Sequence, residues 1–294
     1  MSSLPSILVF DSGLGGLTVL REVVAARPDA HYVYVADDAF FPYGHHSEEQ
    51  IIARVVPLIG ELIDAHTPDL VVIACNTAST LVMSHLRNTY RIPFVGTVPA
   101  IKPACAQSRT KRVSVFGTRG TVNREYTRAL IRDFAQGCEV TLVGSPALAS
   151  LAENALSGKA VSDDDIAAEL VPCFVGNATD AAKRTDTIVL ACTHYPLLLD
   201  RLIRLAPWPV EWIDPAPAIA VSLTSLPLNA VSASEASSGE PTSVTSQPCP
   251  KSRISARVYS RCTVPLVPST ETRLVFDRAQ AGLIAGTVPT KGSV

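Results

Sequence analysis

The stretch DLVVIACNT (69–77) has a near copy in DTIVLACTH (186–194). Each stretch begins with Asp, continues through Val- and Ile-rich residues, and ends with Ala-Cys and two polar residues. An apolar run of this length predicts a buried strand, so Cys75 and Cys192 each stand at the end of a strand. The fold has to account for two thiols in equivalent positions.

Short aliphatic runs of this kind alternate with longer amphipathic runs along most of the chain. The short runs predict strands at Ile7–Asp11, Tyr32–Asp37, Leu70–Cys75, Val113–Gly117, Val140–Val143, Ile188–Cys192 and Val210–Asp214. The longer runs predict helices at Gly16–Ala26, Glu48–His66, Thr80–Arg91, Val122–Phe134, Asp164–Phe174 and Leu197–Leu205. Because the strands are apolar throughout, we expect an α/β fold with parallel strands covered on both faces.

The chain also carries a second, weaker echo, which pairs ILVFDS (7–12) with VSVFGT (113–118). Both echoes occur in the same order, which predicts two similar doubly wound lobes that face each other. In open α/β sheets the ligand lies beyond the carboxyl ends of the strands. We therefore expect the functional site in the cleft between the lobes.

Composition excludes several classes of protein. The 294 residues are 47% hydrophobic with a formal net charge of −2, and no basic run predicts binding to nucleic acid. No apolar run approaches the roughly 18 residues of a membrane span, and the first residues do not resemble a signal peptide. The seven scattered cysteines lack a CxxC pair, which indicates reduced thiols, a cytoplasmic location and no metal site.

The C-terminal part differs in composition. Ser, Thr and Pro dominate residues 222–252, which predicts low order over 222–270, because such a segment buries too little apolar surface. Residues 272–285 regain some strand-like and helix-like character. A divergent extension or an altered reading frame would explain the abrupt change.

Two thiols at strand ends suit one kind of chemistry. A thiolate on one face of a tetrahedral carbon removes a proton while the thiol on the other face delivers one, which inverts the centre without a cofactor. A Cys–His hydrolase needs only one thiol, and a redox pair needs sulfurs close enough to bond. We also expect a helix N-terminus after each cysteine to lower its pKa. The sequence therefore favours a two-base racemase or epimerase.

The glycine-rich loop after the first strand has two interpretations. Asp11 precedes Gly13 and Gly15, and Asp37 stands about where a dinucleotide site has its ribose-binding acid. Thr18, however, occupies the place of the third glycine, and Asp11 would repel a pyrophosphate. The same carboxylate suits an ammonium group, so an amino-acid substrate fits better than a nucleotide.

The motifs FDSGLGGL (10–17), FPYG (41–44), ACNTAS (74–79), GTRGTV (117–122) and ACTHYPLL (191–198) resemble those of glutamate racemases, in the aspartate/glutamate racemase family. The resemblance covers about residues 7–220. Related aspartate racemases commonly have Glu where His194 stands, so the motif favours glutamate. One departure is SPALASLAE (145–153), where many members begin with Cys-Pro but keep the acid that Glu153 provides here.

The resemblance implies two flavodoxin-like lobes related by a pseudo-twofold axis, with the site between them. The first lobe would hold 1–98 and 208–221, with part of 271–294 as a candidate addition, and the second would hold 99–207. Cys75 would deprotonate D-glutamate and Cys192 L-glutamate, assisted by Asp11 and His194. Substrate would be bound by Ser12, Asp37, Tyr43, Gly44, Asn76, Thr77, Thr118, Thr121, Glu153 and Thr193.

The same resemblance implies a cofactor-independent enzyme that supplies D-glutamate for peptidoglycan synthesis. A homodimer and regulation by a cell-wall precursor are further expectations. Three alternatives stay open: a racemase acting on aspartate or another small amino acid, a one-thiol decarboxylase of the same superfamily, and a non-catalytic regulatory homologue. Retention of both thiols argues against the last two.

Overall fold

The computed structural model describes residues 4–224 and the backbones of three further strands. The strands are β1 (Ser6–Asp11), β2 (His31–Ala36), β3 (Leu70–Ile73), β4 (Phe94–Gly96), β5 (Arg112–Thr118), β6 (Glu139–Ser145), β7 (Thr187–Ala191), β8 (Glu211–Ile213), β9 (Ser255–Ser260), β10 (Thr272–Asp277) and β11 (Gly282–Thr287). The helices are α1 (Leu17–Ala26), α2 (Glu48–His66), α3 (Asn76–Thr89), α4 (Ile101–Gln107), α5 (Arg119–Val122), α6 (Glu125–Phe134), α7 (Leu148–Leu156), α8 (Asp163–Leu170), α9 (Leu199–Leu205) and α10 (Ala216–Thr224).

The first lobe is a sheet in the order β11-β10-β9-β2-β1-β3-β4. Its strands β1 to β4 and β9 run parallel, whereas β10 and β11 are antiparallel to their neighbours. Helices α1 and α10 cover one face and α2 and α3 the other, each through an apolar stripe. The interior strand β3 is completely buried, which explains its unbroken LVVI sequence.

The second lobe is a smaller parallel sheet in the order β6-β5-β7-β8. Helices α7, α8 and α9 pack on one face, and α4 and α6 pack on the other. Two layers of helices around a parallel sheet are therefore present in both lobes. This arrangement confirms the predicted fold class.

The two sequence echoes occupy equivalent positions in the two sheets. The strands β2-β1-β3-β4 of the first sheet match the strands β6-β5-β7-β8 of the second. Strand β1 therefore corresponds to β5, and β3 corresponds to β7. The aspartates that open the repeated stretches also act alike. Asp69 accepts a hydrogen bond from the backbone N–H of Ser6 at the start of β1, and Asp186 accepts from Arg109 and Thr110 just before β5. The duplication is thus structural as well as sequential.

The expected lobe boundaries need two corrections. Within 208–221, strand β8 pairs with β7 of the second sheet, and only α10 returns to pack on α1 of the first lobe. Within the segment 222–270 that was expected to have low order, residues 255–260 form β9 beside β2. Residues 225–254 and 261–271 lie outside the described part of the chain.

Several element bounds also differ from expectation. Helix α3 begins at Asn76 rather than near Thr80. The polar residues of its first turn face the cleft, so the apolar periodicity that indicates a helix in the sequence starts only after them. No helix begins directly after Cys192, where a 3₁₀ turn over Tyr195–Leu198 precedes α9. Strand β4 and helices α4, α7 and α10 were not predicted.

Candidate active site

A narrow cavity lies where the carboxyl ends of the two sheets meet. The cavity is far too narrow for a dinucleotide. Most of the predicted site residues line it: Ser12, Tyr43, Gly44, Cys75, Asn76, Thr77, Thr118, Cys192, Thr193 and His194. The remaining four, Asp11, Asp37, Thr121 and Glu153, lie behind that lining.

Cys75 enters the cavity from the first lobe. It follows β3 and caps α3, and its Sγ donates to Ser12 Oγ at 3.6 Å. Burial, followed by repulsion from the Asp11 carboxylate, raises the pKa of the Cys75 thiol to about 12. The expectation that the following helix would lower this pKa is therefore wrong, because desolvation outweighs the helix N-terminus.

Cys192 enters the same cavity from the second lobe. Its Sγ lies 3.9 Å from His194 Nδ1, and His194 Nε2 lies 2.6 Å from a carboxylate oxygen of Glu153. Burial alone would lower the pKa of His194, but hydrogen bonds to Cys192 and Glu153 and the negative charges of Cys192 and Asp11 raise it to about 10. At neutral pH an imidazolium therefore stands beside this sulfur.

The glycine-rich loop brings the second lobe close to the first. A side chain at Gly15 would overlap the His194 ring, and one at Gly16 would overlap Asp11 and Tyr34. The backbone N–H of Leu14 donates to Glu153 at 3.2 Å. The Gly15 N–H also lies 3.2 Å from His194 Nε2. Because that nitrogen carries a proton and donates it to Glu153, it does not accept a hydrogen bond from Gly15 as well. The loop thus surrounds protein side chains, which argues against the nucleotide interpretation.

Asp11 is completely buried at the end of β1. It accepts hydrogen bonds from Ser12 Oγ at 3.1 Å, from the Gly13 N–H at 3.2 Å and from Thr193 Oγ1 at 2.8 Å. Burial raises the pKa of Asp11, although the charge of His194 and these hydrogen bonds oppose the shift. Because Thr193 belongs to the second lobe, Asp11 links the two lobes, and Ser12 connects it to Cys75.

Three threonines form a second link between the lobes. Thr77 Oγ1 lies 2.9 Å from Thr118 Oγ1 and 3.1 Å from Thr121 Oγ1, and the latter two are 3.1 Å apart. Thr77 follows β3 in the first lobe, whereas Thr118 ends β5 and Thr121 lies in α5 of the second. Thr121 therefore supports the two cavity-lining hydroxyls from behind.

Asn76 gives the clearest indication that the cavity binds a polar ligand. Its side chain is 2% exposed and lines the cavity, yet neither amide atom has a hydrogen-bond partner among the described residues. A buried amide without partners is costly, so natural proteins rarely keep one without a function. A ligand carboxylate in the cavity would satisfy its N–H donors.

Asp37 does not reach the cavity. Its carboxylate accepts from Tyr43 Oη at 2.7 Å and forms a two-pronged ion pair with Arg54 on α2. Sequence reasoning missed Arg54, because a polar position on a helix gives no sign of its distant partner. It also missed Phe41, Pro42 and Ala149 as lining residues, although the FPYG motif pointed to that loop.

Neither a metal-binding cluster nor a membrane-spanning helix occurs in the described part of the chain. Its His, Cys, Asp and Glu side chains form no group of three or more that could hold a metal ion. Its helices include none that is long and apolar enough to cross a bilayer.

Known proteins resemble this chain in sequence. Residues 10–223 match the profile of the family described as Asp/Glu/Hydantoin racemase. The chain is 54% identical over 221 residues to the glutamate racemase of Brucella canis, and the matched region covers 75% of this chain and 79% of that protein. It is 52% identical over 249 residues to the glutamate racemase of Sinorhizobium medicae, covering 82% and 91%.

Solved structures resemble it in fold. The Escherichia coli glutamate racemase, in complex with L-glutamate and the activator UDP-MurNAc-Ala, has a TM-score of 0.73 at 37% identity and covers 88% of this chain and 91% of its own. The Francisella tularensis glutamate racemase with D-glutamate has a TM-score of 0.61 at 25% identity, covering 76% and 80%. The resemblance drawn from the motifs is thereby confirmed. The chain belongs to the Asp/Glu/Hydantoin racemase family.

Proposed function

We propose that this chain interconverts L- and D-glutamate by a two-thiol mechanism without a cofactor. The observation that carries the proposal is that Cys75 and Cys192, from opposite lobes, line one small cavity. A ligand between them would present one face of its Cα to each sulfur. High identity to proteins named glutamate racemase supports glutamate as the substrate.

In the direction from L- to D-glutamate, Cys192 as thiolate removes the α-proton. The electron pair left on Cα is stabilised by the adjacent carboxylate, and Cys75 delivers its thiol proton to the opposite face. The products are D-glutamate, a Cys75 thiolate and a Cys192 thiol. The reverse direction uses the same two groups with their roles exchanged.

Stabilisation of the carbanion-like transition state is the larger demand on the site. The unpaired amide of Asn76 and the hydroxyls of Thr77 and Thr118 are preorganised donors inside a buried cavity. Fixed donors in a water-excluded site stabilise developing negative charge more than water does, because they need no reorganisation. The imidazolium of His194 adds a positive charge on the side of Cys192.

Asp11 then acts through its neighbours rather than as a general base. Its carboxylate accepts hydrogen bonds from Ser12, Gly13 and Thr193, and its charge raises the pKa of Cys75 and so keeps the proton on that thiol. The ammonium group of the substrate would enter between Asp11 and the thiols. Its positive charge would offset the effect of Asp11 on Cys75.

The cellular role that we propose is supply of D-glutamate for peptidoglycan in the cytoplasm. Regulation by a cell-wall precursor is supported by the E. coli relative, whose structure contains UDP-MurNAc-Ala as an activator. Activity measured with and without that nucleotide tests the regulation. A homodimer stays a prediction that sedimentation or light scattering would check.

The substrate is tested by circular dichroism. Purified protein, treated with a chelator and given no cofactor, should abolish the optical activity of L-glutamate and of D-glutamate, and should act poorly on either enantiomer of aspartate. Faster inversion of aspartate would assign the chain to the alternative substrate. No inversion of any amino acid by folded protein would contradict the proposed function and favour a regulatory homologue.

A further inference from the structure

Among the ion pairs of the described residues, the one that Arg54 forms with Asp37 lies next to the cavity lining, on the side of the first lobe. Arg54 extends from α2, and its Nε and Nη2 donate to the two carboxylate oxygens of Asp37 at 3.0 and 2.6 Å. The Asp37 side chain is fully buried, whereas that of Arg54 is about one-third exposed, at 30%. The planar fork of an arginine matches a carboxylate and fixes its orientation.

The ion pair reaches the cavity through a tyrosine. Tyr43 Oη donates to the same Asp37 oxygen that accepts from Arg54 Nε, at 2.7 Å. Tyr43 is almost completely buried and lines the same cavity as Cys75. The order of contacts is therefore Arg54, Asp37, Tyr43 and then the space that a substrate would fill.

We propose that Arg54 is a positioning residue for the substrate: it cancels the charge of Asp37 and, through Asp37, holds Tyr43 against the cavity. The proposal rests on the proposed function, because the substrate it concerns is glutamate. Glutamate carries two carboxylates, and an unpaired Asp37 carboxylate one residue behind the cavity wall would repel them. Asp37 is accordingly a support for Tyr43 and makes no contact with the substrate.

Three variants separate charge from packing. Arg54→Met keeps the length of the side chain but leaves Asp37 unpaired, and Arg54→Lys keeps the charge without the fork. The double variant Asp37→Asn with Arg54→Met removes both charges, while the carbonyl oxygen of the introduced amide still accepts from Tyr43. Arg21→Met is the matched control, because Arg21 is exposed and forms its ion pair with its neighbour Glu22.

The KM and kcat of each variant are measured with both enantiomers. In Arg54→Met we expect KM to rise about tenfold with a smaller change in kcat, because charge repulsion opposes ground state and transition state alike. Arg54→Lys should be intermediate, and the double variant should recover most of the lost affinity. A double variant no better than Arg54→Met, or an Arg54→Met KM equal to that of the control, would overturn the proposal.

Melting temperatures provide a readout that does not depend on activity. An unpaired buried carboxylate destabilises a fold, so the double variant should melt above Arg54→Met. If it melts no higher, the charge of Asp37 is not what Arg54 balances, and the proposal is wrong. An inactive unmodified protein would instead refute the proposed function, whereas this melting comparison would still decide the pairing.

Discussion

Cys75 and Cys192 stand at equivalent strand ends, yet their neighbours carry opposite charges. Cys75 has a hydroxyl and the Asp11 carboxylate nearby, which together with burial keep its pKa at about 12. Cys192 has the imidazole of His194, whose own pKa is raised to about 10. A duplicated backbone has thus been given two different electrostatic surroundings. We expect the unliganded protein to hold a proton on Cys75 and to be ready for L-glutamate.

The largest effect should come from removing either thiol. Cys75→Ala and Cys192→Ala should each lower kcat by about 10³-fold or more, since each removes an acid or base from the reaction. Because the two enantiomers have equal free energies, kcat/KM must fall equally in both directions. Cys173→Ala, a buried thiol away from the cavity, is the control. Substantial turnover by either single variant would show that the two lobes do not share the chemistry.

His194→Asn should have the next largest effect. We expect kcat to fall about 10²-fold, because the positive charge beside Cys192 is lost. Alkylation by iodoacetamide at neutral pH, mapped by mass spectrometry, should become slower at Cys192 and stay slow at Cys75. Faster alkylation of Cys75 than of Cys192 in the unmodified protein would contradict the account, in which Cys192 is the more reactive thiol.

Asp11→Asn addresses the other side of the comparison. Without the carboxylate, the pKa of Cys75 should fall, since Asp11 is the second cause of its elevation after burial. We expect the pH midpoint for alkylation of Cys75 to move down, with a loss of about tenfold in kcat/KM. Asp214→Asn, at a partly buried acid that accepts from the Ala216 N–H at the start of α10, should leave both values unchanged. An unmoved midpoint in Asp11→Asn would mean that burial alone sets the pKa of Cys75.

The sequence predicted the two thiols and most of the cavity because both depend on local pattern. Apolar runs end where their strands end, and the polar residues that follow must lie at the carboxyl edge. The pairing of β8 with β7, by contrast, depends on contacts distant along the chain, which a three-residue strand does not signal. The same holds for Arg54, which meets Asp37 only after α2 has packed. The raised pKa of Cys75 was not predicted, because it depends on how deeply the thiol is buried and on how close Asp11 lies to it.

The smallest effect concerns stability against pH. The pKa of His194 is raised from 6.5 to about 10 in the folded protein, so the folded state binds the proton more tightly than the unfolded state. The associated stabilisation is full below about pH 6.5 and is lost as pH rises towards 10. The unfolding free energy of the unmodified protein should therefore decline relative to His194→Asn over this range in urea titrations. The control is His85→Asn, at an exposed site, whose unfolding free energy relative to the unmodified protein should show no such trend. A stability difference between the unmodified protein and His194→Asn that grows with pH would contradict the assignment.

The isotopic composition of the first product tests the two-thiol mechanism most directly. L-Glutamate is incubated with the protein in D₂O, the reaction is stopped at low conversion, and both enantiomers are separated and examined by NMR at Cα. Two opposed thiols predict D-glutamate that carries deuterium, alongside recovered L-glutamate that retains its original proton. D-Glutamate that retains the substrate's own proton would mean that a single group acts on both faces, and would contradict the account.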